Sequence, residues 1–192
     1  KIKNRIKKIL LIISIFLLSV MALCAASKQT LRTNLINSEV KKTSVDEYIK
    51  VLTNNNVTEV EKILNNAIKL DSRNYYAKED LAAIYLTQKG KENEAVKLLE
   101  EAIKMDSKNH VPYANLLQAY ARLNKPKEYV DTLNALVSNV PEYPEGYRMA
   151  GIFLVGNKRN EEAIPYIEKA IELYTGLSGD KYPELIPNKN IL

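Results

Sequence analysis

The chain is poor in the residues that build disulfides and metal centres. Among its 192 residues it has one cysteine, Cys24, and one histidine, His110. A single cysteine cannot form an internal disulfide, so packing alone must hold the fold in any redox compartment. A protein zinc site normally draws on several histidine or cysteine ligands, and one histidine does not supply them. The sequence therefore predicts no metal site and no other cofactor.

Positive charge has little excess outside the first eight residues. The chain has 28 Lys and Arg against 23 Asp and Glu, and "KIKNRIKK" at its start holds five of those cations. The remainder is electrically balanced, so it offers no basic surface that would release counterions from a phosphate backbone. We expect no nucleic-acid partner.

A charge-free run, "ILLIISIFLLSVMALCAA", occupies residues 9–26 directly after the basic start. Basic residues, an apolar run and then small residues are the order of an export signal, so residues 1–26 are predicted to be a signal peptide or membrane anchor. Three fates remain open: cleavage after Ala26, retention as a membrane-spanning anchor, or lipidation of Cys24. "MALC" resembles the bacterial lipobox, although Leu23 stands where that motif has Gly, Ala or Ser. Each fate predicts an exported protein of the bacterial cell envelope, whether periplasmic, membrane-anchored or secreted, with residues 27–44 as a polar linker.

Pairs of small or apolar residues seven positions apart recur along the chain. Their first members are separated by 35, 34 and 34 residues. Recurrence at a fixed period indicates a repeat array. Seven residues make almost two helical turns, so both members of a pair lie on one stripe, and small ones let a neighbouring helix approach closely. The pairs are Val60 and Ala67, Ala95 and Ala102, Tyr129 and Leu136, and Ala163 and Ala170.

A second helical pattern precedes each pair, and turn signals separate the two. These are "NNN" at 54–56, "QKGKEN" at 88–93, "NKPKE" at 124–128 and "GNKRN" at 156–160. Each unit is therefore predicted to form a helical hairpin. The arrangement resembles the tetratricopeptide repeat over residues 41–175: an early aromatic in the first helix, a leucine or alanine with a small neighbour, and then the paired small residues. The residues that carry it in the first helices are Tyr113, Tyr147, Leu81–Ala82 and Ala150–Gly151.

The resemblance implies an all-α fold, an α-α superhelix (solenoid) of about three to four tetratricopeptide-like helical hairpins. The array would occupy residues 45–175, in units at about 41–74, 75–109, 110–143 and 144–175, followed by a C-terminal tail at 176–192. In this family the first helices line a concave face that binds peptides or partner proteins. Carrying the family's groove positions over gives Tyr76, Glu79, Ala83, Leu86, Val111, Ala114, Asn115, Gln118, Arg122, Glu145, Arg148 and Ile152.

One binding mode of the family grips a peptide carboxylate with lysines, asparagines and an arginine. Only Asn115 fits that pattern here, so a chaperone-tail co-factor is not expected. Arg122 and Arg148 lie one unit apart and have two interpretations. They hold an acidic group of a partner, or they pair with Glu145 or with solvent.

Fragments that resemble catalytic motifs have structural interpretations. "GIFLVGNK" comes near a phosphate-binding loop, but Asn157 stands where lysine belongs and no strand precedes it. We interpret Gly151 as a helix-packing residue and Gly156 as the residue past a helix end. Glu100 and Glu101 lie among Lys97 and Lys104, which predicts ordinary solvated pairs on a helix surface, and we give Glu161 and Glu162 the same interpretation. No catalytic residue is predicted.

The leading functional interpretation is a non-enzymatic scaffold that docks a partner protein or peptide. Two alternatives remain: an accessory protein that binds a small molecule or glycan, favoured by an apolar pocket among Tyr76, Leu86 and Arg122, or an enzyme with an unrecognised site. The last helix also carries apolar residues outside its packing stripe, Ile164, Tyr166, Ile171 and Leu173. We expect either the tail, through Leu185, Ile186, Ile191 and Leu192, or a second copy of the chain to cover them.

Overall fold

Every regular element among the described residues is helical. The computed structural model describes residues 30, 33–36, 39–177, 182 and 185. The predicted all-α fold is confirmed in this part of the chain. Its helices are α1 (Lys42–Tyr48), a 3-10 helix (Ile49–Thr53), α2 (Val57–Leu70), α3 (Tyr75–Thr87), α4 (Glu92–Met105), α5 (Val111–Arg122), α6 (Pro126–Asn139), α7 (Pro144–Gly156) and α8 (Asn160–Thr175).

The chain divides into two compact units, residues 1–81 and 82–192, and the division falls within α3. In the first unit α1 packs on α2. In the second, α4 packs on α5, α5 on α6, α6 on α7, and α7 on α8. In each of these pairs, helices that are neighbours in sequence are neighbours in space, which is the order that a helical repeat requires.

The paired alanines are buried where second helices meet their neighbours. Ala95 and Ala102 of α4 are 0% exposed, and Ala163 and Ala170 of α8 are 1% and 2% exposed. The larger Leu136 of α6 is also fully buried. The small residues thus occupy the packing stripe that their seven-residue spacing predicts.

The turns after α3, α5 and α7 each contain one left-handed residue. Gly90, Asn124 and Lys158 have φ of 89°, 52° and 60°. They are spaced by 34 residues, the period of the repeat. After Asn124 and Lys158 the next amide bonds back to the helix, Lys125 N to Tyr120 O and Arg159 N to Leu154 O, each at 2.9 Å. These bonds cap the orphan carbonyls at the helix ends. The prediction that Gly156 lies past a helix end is wrong, because Gly156 ends α7 and Lys158 takes the left-handed position.

The matching segments "DSRN" and "DSKN" form matching turns before α3 and α5. Oδ1 of Asp71 accepts from Arg73 N at 3.0 Å, and Oδ1 of Asp106 accepts from Lys108 N at 3.1 Å. The asparagine that closes each segment then caps the following helix, Asn74 through Ala77 N and Asn109 through Val111 N. The side chains in this motif satisfy backbone donors that a helix start leaves free.

The segment predicted as a polar linker has buried residues among those that the structure describes. Residues 33–36 are helical, Leu35 is 0% exposed and Val40 is 4% exposed. Lys41 N donates to Oδ2 of Asp71 at 2.8 Å. The described part of this segment is therefore polar and largely exposed, and two apolar side chains anchor it to the first unit. Residues 1–29, with Cys24, lie outside the described residues, and no helix of the described part is long and apolar enough to cross a membrane.

Candidate partner-binding surface

Helix α5 presents two opposite faces. At about 100° per residue, Val111, Ala114, Gln118 and Arg122 lie on one side, and the packing residues lie on the other. Val111 is 39% exposed, Gln118 and Arg122 are exposed, and Ala114 is half-buried. Asn115 lies at the edge of this side and is also half-buried. The buried residues on the opposite side are Tyr113, Leu116, Leu117 and Tyr120.

Helix α7 repeats this division. Ile152 is 54% exposed, whereas Ala150 and Gly151 are buried against the interior. Glu145 and Arg148, which precede Ile152 on the same side of the helix, are half-buried. We call Val111, Gln118, Arg122 and Ile152 the α5–α7 surface of the second unit.

Arg148 is not a free anion-binding group. Its Nε donates to Oε2 of Glu145 at 2.8 Å, and its Nη2 donates to Oε1 of the same carboxylate. The hydroxyl of Tyr174 donates to Glu145 as well. Burial alone would raise the pKa of Glu145, but these hydrogen bonds outweigh it and hold the pKa below its ordinary value. Of the two interpretations of Arg148, the structure therefore shows the pairing with Glu145.

Arg122 keeps an accessible charge. One of its guanidinium N–H groups donates to the backbone carbonyl of Leu86, and the side chain is exposed. That hydrogen bond fixes the guanidinium at the end of α5. Arg122 is thus the cation of the α5–α7 surface that remains open to an acidic group.

Two residues predicted to line the groove are buried instead. Leu86 is 4% exposed and packs with Ala95, Leu99 and Leu116 in the core of the second unit. Glu79 is 4% exposed in the first unit. Both predictions are wrong, because a groove position carried over from the family does not reveal which neighbours cover it. Ala83, by contrast, is exposed.

Tyr76 belongs to an aromatic cluster of the first unit. Its ring stacks on that of Tyr48 at 6.3 Å between centroids, and its hydroxyl accepts from Asn34 at 3.1 Å. The Tyr48 hydroxyl in turn donates to Oδ2 of Asp80 at 2.8 Å. Burial raises the pKa of the Asp80 carboxyl above its ordinary value. The described segment at 33–36 thus occupies part of the surface that the resemblance assigns to a partner.

The C-terminal tail reaches the core of the second unit. Tyr182 and Leu185 are 7% and 4% exposed and pack with the buried residues of α5 to α8. The Tyr182 ring contacts both His110 and Tyr143, at 5.3 and 5.1 Å between centroids. The sequence predicted a covering role for Leu185, but nothing in it pointed to Tyr182. Ile186, Ile191 and Leu192 lie outside the described residues.

The outer side of α8 stays open. Ile164 is 53% exposed and Ile171 is 44% exposed. Tyr166 and Leu173 are half-buried. The described tail residues therefore cover the core at the start of α5 and α7 and leave these isoleucines accessible.

No group of three or more histidine, cysteine, aspartate or glutamate side chains within the described part of the chain is arranged to hold a metal ion. The carboxylates that the sequence placed among lysines have other partners. Oε1 of Glu100 accepts from the Tyr120 hydroxyl at 2.8 Å, and Glu162 pairs with Arg159 at 2.7 Å. Glu100 is exposed, as predicted for a helix-surface residue, and the hydrogen bond that the structure shows for it comes from Tyr120.

The family model for the tetratricopeptide repeat matches residues 77–109 and 145–175. No curated protein matches the chain. A crystal structure of MamA is 16% identical with a TM-score of 0.59, covering 80% of this chain and 90% of that one. A second crystal structure of MamA is 20% identical with a TM-score of 0.56, covering 72% and 75%. MamA from residue 41 to its end, from Desulfovibrio magneticus RS-1, is 16% identical with a TM-score of 0.56, covering 81% and 88%.

At these identities the solved structures show a shared fold. Two repeat matches fall on α3 with α4 and on α7 with α8, where the helix pairs and the buried alanines lie. The family match and the helix order agree on the same elements. The chain contains tetratricopeptide repeats, at residues 77–109 and 145–175.

Proposed function

We propose that this protein is a non-enzymatic scaffold of the bacterial cell envelope that docks a partner protein or peptide on the α5–α7 surface. One observation carries the proposal. Two large apolar side chains are exposed on that surface, Val111 at 39% and Ile152 at 54%, and the guanidinium of Arg122 is exposed on the same side of α5 as Val111. A helical-repeat surface uses exposed apolar anchors together with charged groups to bind an extended or helical segment.

A scaffold role agrees with the fates of the carboxylates. Glu145 is tied to Arg148 and Tyr174, Glu162 to Arg159, and Glu100 to Tyr120. These hydrogen bonds and ion pairs give the acidic residues a structural role. The alternative was a small-molecule or glycan site among Tyr76, Leu86 and Arg122. Leu86 is only 4% exposed, so its side chain does not line such a site.

The envelope location rests on the basic and apolar pattern of residues 1–26. Anchoring through a lipid on Cys24 is one form of this proposal. Metabolic labelling with a fatty acid would test it by comparing Cys24→Ser with the wild-type chain. Label that disappears in the variant supports the lipid anchor, and equal labelling eliminates it.

A second copy of the chain is a further partner that this scaffold would bind. Ile164 and Ile171 on the outer side of α8 form the surface for it. Sedimentation of Ile164→Lys with Ile171→Lys would show a smaller species than the wild-type chain if the two copies meet there. An unchanged mass would remove α8 from the proposal.

Site-specific photocrosslinking in the native cell tests the docking surface. A photoreactive residue would replace Gln118 or Ile152 in the full chain, and matched controls would replace Lys127 on α6 and Glu94 on α4, both exposed. We expect one partner band at positions 118 and 152 that the controls lack. Equal crosslinking at all four positions, or none at 118 and 152, would contradict the proposal.

A further inference from the structure

A second concave surface lies on the opposite side of α5 from the α5–α7 surface. Leu116 and Tyr120 of α5 line its floor, α4 contributes Glu100 and Ile103, and α6 contributes its other wall. Its volume is about 360 Å³, within the range of protein sites that hold a small group. We call it the α4–α6 cleft.

The cleft combines an apolar floor with an acidic rim. Ile103 and Ala135 are half-buried and line the cleft together with the buried Leu116. The rim carries three carboxylates and, among the described lining residues, neither lysine nor arginine. These carboxylates are Glu100 of α4 and Glu128 and Asp131 of α6.

Two of the carboxylates converge on one point. Glu100 accepts from the Tyr120 hydroxyl at 2.8 Å. Burial raises the pKa of Tyr120, and the negative charges of both Glu100 and Glu128 raise it further, which places both carboxylates near that hydroxyl. Glu128 lines the same cleft, and its negative charge acts on the Tyr120 hydroxyl and on the neighbouring Lys127.

Two lysines lie at the edge of the cleft and do not line it. Lys127 pairs with Asp131 at 2.9 Å, and both side chains are exposed. Lys108 donates to the backbone oxygen of Asn139 at 3.0 Å, at the end of the cleft that Asn139 lines. The described residues that line the cleft therefore carry three carboxylates and no cation, and Glu100 and Glu128 are the two outside the Lys127–Asp131 pair.

We propose that the α4–α6 cleft is a docking site for a lysine or arginine side chain of a partner protein, with its aliphatic stem on Ile103, Leu116 and Ala135 and its charged head between Glu100 and Glu128. Such side chains bury an apolar stem while the cation stays at a polar rim, and this cleft has both parts. A charged hydrogen bond to a carboxylate adds specificity. The inference rests on the proposed role as a docking scaffold, but it uses a different surface.

Fluorescence anisotropy with two labelled peptides tests the cleft on the full chain in detergent micelles. One peptide is acetyl-Ala-Leu-Lys-Leu-Lys-Leu-Ala-amide, and the other replaces both lysines with norleucine, which keeps the stem and removes the charge. We expect the lysine peptide to bind at least about tenfold more tightly, a difference of ~1.4 kcal/mol. Added salt should weaken its binding because the contact is ionic.

Matched substitutions locate the binding. Glu128→Gln and Glu100→Gln keep the shape of each side chain, and Glu100→Gln keeps an acceptor for the Tyr120 hydroxyl. Each should weaken lysine-peptide binding several-fold, whereas Glu168→Gln on the exposed part of α8 should not change it. Thermal unfolding midpoints equal to that of the wild-type chain would show that the variants are folded.

Three results would overturn the inference: equal binding of the norleucine peptide, unchanged binding by both glutamine variants, or no lysine-peptide binding. Butylamine would also be tested as a competitor of the labelled lysine peptide. If it displaced that peptide at the same concentration as unlabelled lysine peptide does, the cleft would be a small-amine site and the inference would be overturned. Failure here leaves the crosslinks at positions 118 and 152 unaffected. Absence of those crosslinks would instead remove the α5–α7 surface, so the two proposals fail separately.

Discussion

Gly151 of α7 lies directly against Ile167 of α8. A Cβ atom built on Gly151 would stand 2.6 Å from Cγ1 of Ile167, closer than carbon atoms approach in proteins. The two helices can meet at this distance only because residue 151 has no side chain. The glycine of the first helix and the buried alanines of the second thus serve the same close approach from opposite sides.

Gly151→Ala should therefore destabilise the protein. We expect a loss of about 1–3 kcal/mol from overpacking, which exceeds the gain of about 1 kcal/mol that alanine brings to a helix interior. Chemical denaturation would measure it. Gly156→Ala is the matched control, because nothing lies within 4 Å of a Cβ at that position.

A double-variant cycle gives the sharper test of this contact. Ile167→Ala removes the atom that clashes, so the cost of Gly151→Ala should fall in that background. Equal costs in both backgrounds would show that the helix approach is not set by this pair.

Substituting glycine at a left-handed turn residue should stabilise the protein, in contrast to the loss expected for Gly151→Ala. Lys158 has φ of 60°, where an ordinary side chain is strained, and glycine occupies the equivalent position at Gly90. Lys158→Gly should raise the unfolding free energy by about 0.5–1 kcal/mol. Gly90→Ala should lower it by a similar amount. Thermal unfolding of the two variants would check both signs, and a stabilised Gly90→Ala would contradict the account.

The sequence predicted the elements that repeat and missed the contacts that occur once. Period and residue size identified the helix pairs and the buried Ala95 and Ala102, because each unit obeys the same packing rule. The burial of Leu35 and Tyr182 depends on segments outside the repeat that fold back on it. A periodic sequence pattern does not predict such contacts, because each depends on an apolar residue within a polar stretch.

The residues of the candidate surface also divide into those that the sequence could place and those that it could not. Gln118, Arg122 and Ile152 are accessible as the helical spacing predicts, because their place on the helix follows from the opposite packing face. Leu86 and Glu79 are covered by neighbours that the spacing does not report. The acidic cleft was missed because Glu100 and Glu128 belong to different helices and meet only after α4 and α6 pack on α5.

Shortening one buried side chain of the tail should lower the stability of the protein. Leu185 is 4% exposed within the core of the second unit, so Leu185→Ala should cost about 2–4 kcal/mol. Ile164→Ala is the control, since Ile164 is 53% exposed and should cost little. Denaturant titration of both variants would compare them. Equal stabilities would show that the tail does not contribute to the core.

The Asp71 carboxylate predicts a defined pH dependence. The hydrogen bond from Arg73 is the main cause that holds its pKa well below the ordinary value, and Lys41 N adds to it against the opposing effect of burial. Because the folded pKa is lowered, this stabilisation is present above the unfolded pKa of about 3.9 and is lost as the pH falls below it. Asp71→Asn should therefore cost more at about pH 7 than at about pH 3.

Unfolding curves at the two pH values would measure this difference. Asp131→Asn serves as the control, because that carboxylate lies in an exposed pair with Lys127. A cost of Asp71→Asn that stays constant with pH would show that the ionised carboxylate is not what stabilises the turn.

The α5–α7 surface can be tested most directly with two isoleucines of matched exposure. Ile152 on α7 is 54% exposed and Ile164 on α8 is 53% exposed, so both tolerate a charge without disturbing the core. The affinity of the crosslinked partner would be measured for the wild-type chain, Ile152→Glu and Ile164→Glu. We predict that Ile152→Glu weakens binding by at least about tenfold and that Ile164→Glu, which changes the surface proposed for a second copy of the chain, leaves the affinity for this partner unchanged. Unchanged binding by Ile152→Glu would contradict the account.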